Sequence, residues 1–159
     1  MKGKNSFVVL VTVLLGALPA LAQVSDTDLL QQLRADIQAD RQALVAANLG
    51  LTDDEGDAFW PVYREYRNDM SKVGDRLQNL IQDYADAYPN VTEDQAKAMV
   101  DEMIAIRHDE LQVRKSHLSK FRKALPETKV ARFLQIENKI DAIVNLGLAD
   151  AIPLVETGG

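Results

Sequence analysis

An unbroken series of apolar side chains is the feature that most constrains the fold of this chain. Between Phe59 and Ala87 these side chains follow one another at alternating steps of four and three residues, which is the spacing of a helix with one buried seam. The series consists of Phe59, Tyr63, Tyr66, Met70, Val73, Leu77, Leu80, Tyr84 and Ala87. It predicts a helix of roughly 30 residues, about 45 Å long. Pro61 lies just inside it, so that either the helix begins there or a short leading helix joins it through a kink.

Three further segments show helical spacing. One extends from Asp28 to Asn48, followed by Gly50, where glycine accepts the left-handed conformation of a helix end. Another extends from Glu93 to about Ala124, and the last from about Glu127 to Asn145. No segment shows the alternation of a strand. We therefore expect an all-α protein whose long antiparallel helices form a bent helical hairpin or an elongated four-helix arrangement.

The apolar positions of the last two segments predict which faces are buried. The third segment has a seam of Val100, Ile104, Leu111, Leu118, Phe121 and Leu125, with an adjoining stripe of Met99, Met103 and Ile106. The fourth segment has a seam of Val130, Phe133, Ile136, Ile140 and Ile143. The broad apolar face of the third segment indicates that this helix has two neighbours.

The amino-terminal residues have the pattern of an export signal. Lys2 and Lys4 precede an uncharged run, and Ala20 and Ala22 fit the small-x-small rule, so we expect cleavage after Ala22. The run is short for a membrane span, which makes a retained anchor the alternative. The prediction is a signal peptide at 1–22, a helical domain at 23–147 and a carboxyl-terminal tail at 148–159. We expect a periplasmic protein without a membrane span after cleavage, and a tail that docks on a helix or on a partner chain.

Charge is unevenly distributed along an acidic chain. The formal net charge is −6, which argues against nucleic acid as a partner. Eight basic residues nevertheless lie between positions 107 and 132: Arg107, Arg114, Lys115, Lys120, Arg122, Lys123, Lys129 and Arg132. Between Asp26 and Asp57 acidic residues dominate. Either the two regions face each other within a monomer or dimer, or the basic residues and exposed apolar side chains form a patch that binds acidic, partly unfolded chains, here called clients. The residues predicted for that patch are Met99, Met103, Arg107, Arg114, Lys115 and Phe121.

Two pentapeptides have the composition of helix starts. Each has a threonine followed three residues later by Glu or Gln, which is the capping box, and an apolar residue before the threonine that packs back on the first turn. They are Leu51, Thr52 and Glu55 in the first copy, and Val91, Thr92 and Gln95 in the second.

The same repeated element resembles the leucine-threonine-x-x-glutamine motif of the Spy/CpxP group of periplasmic stress proteins. Glu55 stands in place of the first glutamine, and Val91 in place of the second leucine. The resemblance implies a helical hairpin that dimerises into a shallow cradle. It also implies an ATP-independent holding chaperone for misfolded envelope proteins, or an inhibitory partner of a periplasmic sensor domain. A structural or assembly hairpin without client binding is the alternative.

The sequence offers little for catalysis. His108 and His117 are nine residues apart, on opposite faces of one helix, and no cysteine, nucleophile motif or phosphate loop is present. We therefore expect no catalytic site, no metal and no cofactor. The enzyme alternative is a loose similarity of the first helix to secreted chorismate mutases, for which the substrate-binding candidates are Arg34, Arg107 and Arg114. The simpler interpretation pairs Arg107 or Arg114, once buried, with Asp36 or Asp40.

Overall fold

The computed structural model describes residues 40–157, all of which belong to one unit, Ala39–Gly159. Four helices and no strand occupy this part of the chain. Helix α1 is described over residues 40–49, and it is followed by α2 (Asp53–Ala87), α3 (Glu93–Ala124) and α4 (Glu127–Ala151). The all-α prediction is therefore confirmed for these residues, whereas the predicted part of the first helix before residue 40 lies outside them.

Both capping boxes form as the sequence predicts. Thr52 accepts a hydrogen bond from the backbone N–H of Glu55, and the Glu55 carboxylate accepts one from the N–H of Thr52. Thr92 and Gln95 repeat this exchange at the start of α3. Because the first box begins α2 at Asp53, Pro61 lies inside one continuous helix.

Gly50 ends α1 with a positive φ of 65°, the conformation that a helix end requires and that a residue with a Cβ adopts only with strain. At the other end of the chain, α4 continues past the predicted end at Asn145, through Gly147, to Ala151. Alanine and leucine, which favour helix, are frequent in these extra residues and sustain it. The tail therefore begins at Ile152.

The helices alternate in direction. Salt bridges from Arg76 to Glu102 and from Lys120 to Glu65 show that α2 and α3 are antiparallel. Helix α4 is antiparallel to α3, with Arg114 bonded to Asp141. The two short connections after α1 and after α3 consequently lie at one end, the connection end, and the turn between α2 and α3 lies at the other, the turn end.

An aromatic cluster at the connection end forms the main core. The rings of Phe59, Phe121 and Phe133 meet with centroids 4.6 to 5.7 Å apart. Val45 and Leu49 of α1 complete the cluster, together with Tyr63, Tyr66, Leu125 and Val130. A smaller cluster nearer the turn end consists of Val73, Leu80 and Ile106, with Met99 and Met103 packed against it.

All nine positions of the predicted α2 seam are buried or half-buried, so this prediction is confirmed. The seam of α3 is different. Ile106 and the adjoining methionines face α2, whereas Val100, Ile104 and Leu111 are exposed, so the prediction that these three are buried is wrong. Helix α4 buries Val130 and Phe133, while Ile143 is exposed.

The tail makes polar contacts with the turn end of α2. The Tyr84 hydroxyl donates to the Pro153 carbonyl at 2.9 Å, and the Tyr88 hydroxyl donates to the Glu156 carboxylate at 3.3 Å. Leu154 nevertheless points to solvent, with 90% of its surface exposed. The contacts hold the backbone of the tail close to α2, and they leave this leucine uncovered.

Candidate functional site

The outer face of α3 carries an apolar stripe formed by Val100, Ile104 and Leu111. Their exposed fractions are 62%, 67% and 53%. They are exposed because the burial face of α3 is defined by Ile106 and Phe121, and the stripe falls on another side of the helix. Isolated exposed apolar residues are ordinary, but three at helical spacing on one helix form a surface that another helix or an extended chain can cover.

The predicted client-binding residues separate into three groups. Phe121 was expected to be exposed, and this is wrong: it is 1% exposed, because it packs between Phe59, Tyr66 and Phe133. Met99 and Met103 are half-buried against the smaller cluster. The third group, the basic residues, remains at the surface in part.

Most of the basic residues of 107–132 are paired within the chain. Lys129 bonds to Glu55, Lys120 to Glu65 at 2.6 Å and Arg122 to Glu127 at 2.7 Å. Arg107 bonds to Glu110 at 3.1 Å and keeps about half of its side chain exposed. Lys115 is exposed and has no ion pair within residues 40–157. The exposed positive charge beside the stripe is therefore that of Arg107 and Lys115.

A buried charge cluster crosses the middle of the helices. Glu137 has no exposed side-chain surface, and its Oε2 accepts hydrogen bonds from Arg41 at 3.0 Å and from Arg67 at 3.4 Å. Arg41 also donates to Asp141 at 2.8 Å, and Asp141 accepts from Arg114 at 2.7 Å. The cluster thus joins all four helices through charged hydrogen bonds.

The cluster shifts the pKa values of Asp141, Arg114 and the neighbouring Tyr66. Burial opposes the charge of Asp141, but Arg41 and Arg114 prevail and hold the pKa of this carboxyl below its ordinary value. Burial works against the charge of Arg114 as well, yet its hydrogen bonds to Asp141 and Glu110 raise the pKa of the guanidinium. Burial, aided by the charge of Glu137, raises the pKa of Tyr66 to about 12. These groups consequently stay in one protonation state across the physiological range.

The predicted pairing of Arg114 with Asp40 is wrong. Asp40 is exposed, and Arg114 pairs with Glu110 and Asp141 instead. Asp36 and Arg34 lie outside the described residues. Arg41 and Glu137 were missed, although a signal was present. Arg41 is four residues before the buried Val45, and Glu137 is four residues after the buried Phe133, so each lies on the buried face of its helix.

The two histidines have different surroundings and do not share a site. His117 is buried, with Nδ1 3.0 Å from the Val113 carbonyl and Nε2 3.5 Å from the Asp69 carboxylate, whereas His108 is exposed. No group of three or more metal-ligating side chains lies together within residues 40–157. Nor does any helix in this part of the chain combine the length and the hydropathy that crossing a membrane requires.

Comparisons of the chain with models of protein families, with curated proteins and with solved structures found no match.

Proposed function

We propose that this protein is an exported, non-enzymatic binding protein that holds partly unfolded envelope proteins without ATP, in the manner of the Spy/CpxP group that its repeated motif resembles. The observation that carries the proposal is the exposed stripe of Val100, Ile104 and Leu111. Helices α2 and α3 each begin with a capping box, and α3 carries this stripe on its exposed face.

The charges beside the stripe suit acidic, partly unfolded chains. Arg107 and Lys115 attract such a chain over a distance, and the apolar side chains then make short-range contacts with it. The client surface of this proposal differs from the one predicted from the sequence, since it replaces Phe121 and the methionines by the stripe. The alternative partner is a periplasmic sensor domain with an acidic surface, which would bind to the same side chains.

The test is suppression of aggregation by the protein purified from cells that export it. A chemically unfolded test protein is diluted into buffer without ATP, and its light scattering is followed with and without this protein. We expect suppression at near-stoichiometric ratios. Replacing Val100, Ile104 and Leu111 together by serine should abolish suppression, because it removes the apolar contacts with the client. The variant should still fold, because these side chains are exposed and contribute little to stability.

The matched control replaces Ile143 and Leu146, which are comparably exposed on α4, by serine. This variant should suppress aggregation as the unaltered protein does. Suppression that survives the α3 substitutions, or that both variants lose equally, would contradict a client surface on α3.

A structural role is the second candidate, favoured by the reversal of charge along α3. Acidic residues predominate near its start and basic residues near its end, so antiparallel pairing of two copies along the stripe would bring Asp101 of one near Lys115 of the other. Such a homodimer would cover the stripe. A dimer by light-scattering mass that the triple serine variant converts to a monomer, with no suppression of aggregation by either, would favour this assembly role over client binding.

A further inference from the structure

An open cleft lies next to the buried charge cluster, between α2, α3 and α4. Its volume is about 140 Å³. It is lined by Arg67, Met70, Val73, Gly74 and Leu77 of α2, by Ile106, Arg107 and Glu110 of α3, by Asp141, Val144, Asn145 and Leu148 of α4, and by Arg41 of α1. The cleft shares Arg107 with the proposed client surface, but the exposed stripe of that surface does not line it.

The lining changes from charged to apolar along the cleft. On α2, Arg67 comes first and the apolar residues up to Leu77 follow. Helix α4 runs in the same sense, with Asp141 first and Leu148 last. Because α3 is antiparallel to both, its Glu110 lies toward the charged end and Ile106 toward the apolar end, where the half-exposed side chain of Arg107 reaches back to Glu110. A ligand that matches the cleft therefore has a polar head and an apolar body.

The charges of the cleft do not balance. Three guanidinium groups line it, those of Arg41, Arg67 and Arg107, against the two carboxylates of Glu110 and Asp141. Behind the lining, Glu137 and Arg114 add one charge of each sign. These seven side chains together carry one net positive charge. A ligand with a single anionic group would neutralise it.

The guanidinium group of Arg67 retains hydrogen-bonding capacity. Within residues 40–157, Arg67 has one hydrogen bond, the long one of 3.4 Å to a Glu137 oxygen that Arg41 already occupies. The side chain of Arg67 is 20% exposed, so its remaining N–H groups are accessible from the cleft, whereas Nε of Arg41 is buried. An anion in the cleft would supply an acceptor to Arg67.

Gly74 lines the cleft and is exposed at the surface. Glycine in a helix interior costs about 1 kcal/mol relative to alanine, so it normally has a reason in packing or backbone conformation. Here a Cβ built on Gly74 meets no atom within 4 Å, and its φ is not positive. A side chain at this position would instead extend into space that glycine leaves empty.

From the excess charge, the unpaired donors and the apolar far end, we propose that the cleft binds a small monocarboxylate with a compact apolar body. A cavity of about 150 Å³ accommodates benzene, which sets the size of that body at one ring or a short alkyl chain. The carboxylate accepts from Arg67, with the positive charge of Arg41 behind it, and the apolar body lies against Val73, Leu77 and Val144.

Isothermal titration calorimetry with benzoate and hexanoate tests the proposal. Benzyl alcohol and benzylamine serve as neutral and cationic probes of the same size. We expect both carboxylates to bind, benzyl alcohol to bind at least roughly tenfold more weakly, and benzylamine not to bind, because a hydrogen bond between charged partners accounts for a factor of this order. Arg67→Gln should weaken benzoate binding by a similar factor. Arg122→Gln, which alters an exposed arginine paired with Glu127, should leave binding unchanged.

A pair of substitutions at Gly74 separates cleft binding from a general effect of charge. Gly74→Phe places a ring at the lining of the cleft and should weaken benzoate binding strongly, whereas Gly74→Ala adds a single methyl group and should preserve it. Circular dichroism verifies that each variant is folded. Benzoate binding that is unaffected by Gly74→Phe, or no tighter than that of benzyl alcohol, would overturn the proposal.

Discussion

The pairing of Arg41 with Glu137 has a measurable energetic consequence. Replacing Glu137 by leucine removes the carboxylate that accepts from both Arg41 and Arg67, and it leaves the buried Arg41 with Asp141 as its remaining partner. Removal of one member of a buried ion pair costs about 3–5 kcal/mol. Oε1 of Glu137 has no hydrogen-bond partner within the described residues, so its loss relieves an unsatisfied buried atom. We therefore expect the lower end, about 3 kcal/mol, a large part of the 5–15 kcal/mol typical of a domain.

A double-mutant cycle with Arg41→Met isolates the interaction from other effects of the two substitutions. Each single change leaves one buried charge under-compensated, whereas the double variant removes both. The double variant should therefore be less destabilised than the sum of the single variants, by about 2 kcal/mol. Urea unfolding, followed by far-UV circular dichroism and by the fluorescence of Trp60 beside the aromatic cluster, measures each free energy.

Asp40→Ala is the matched control. Asp40 is adjacent to Arg41 in sequence but is exposed, so the substitution should change the free energy of unfolding by less than about 0.5 kcal/mol. Additivity of Arg41→Met and Glu137→Leu within about 0.5 kcal/mol would refute the reasoning, since it would mean that the two side chains do not stabilise each other in solution.

Two other predictions concern pH and capping. The folded pKa of Asp141 lies below its ordinary value of 3.8, so ionised Asp141 stabilises the fold above pH 3.8, and this stabilisation is lost as the pH falls through the folded pKa. In thermal unfolding, Asp141→Asn should therefore lose less stability on acidification than the unaltered protein does. The same acid profile in both proteins would contradict the pairing. Thr52→Ala and Thr92→Ala should each lower the free energy of unfolding, measured in urea, by about 1 kcal/mol, because each removes a capping box. Thr128→Ala changes an exposed threonine of α4 and should leave this free energy unchanged. Equal effects at all three sites would argue against the caps.

The sequence predicted most accurately what depends on local interactions. The capping boxes, the helix end at Gly50 and the seam of α2 follow from residues a few positions apart, and all are present. The seam of α3 required more. Ile104 and Ile106 are both apolar and point in different directions, and the choice between them depends on where α2 lies, which periodicity within one helix does not specify.

The charge cluster shows the same limitation at longer range. Arg41 and Glu137 are 96 residues apart in sequence, and nothing in the neighbourhood of either identifies the other. Their positions on the buried faces of two helices indicate only that each needs a partner. Because several acids and bases satisfy that condition, the sequence alone led to Asp36 or Asp40, and the three-dimensional arrangement was needed to identify Glu110 and Asp141 as the partners of Arg114.

The helices of this unit are packed more extensively at the connection end than at the turn end. At the connection end, aromatic rings from three helices interlock with α1, whereas toward the turn end the smaller cluster leaves a cleft beside it and the tail is attached through tyrosine hydroxyls. Local opening of a protein starts where few apolar contacts oppose it. The turn end is consequently the part that can separate while the connection end stays folded. A ligand of the kind proposed for the cleft would favour the closed arrangement of this half and so slow its local opening.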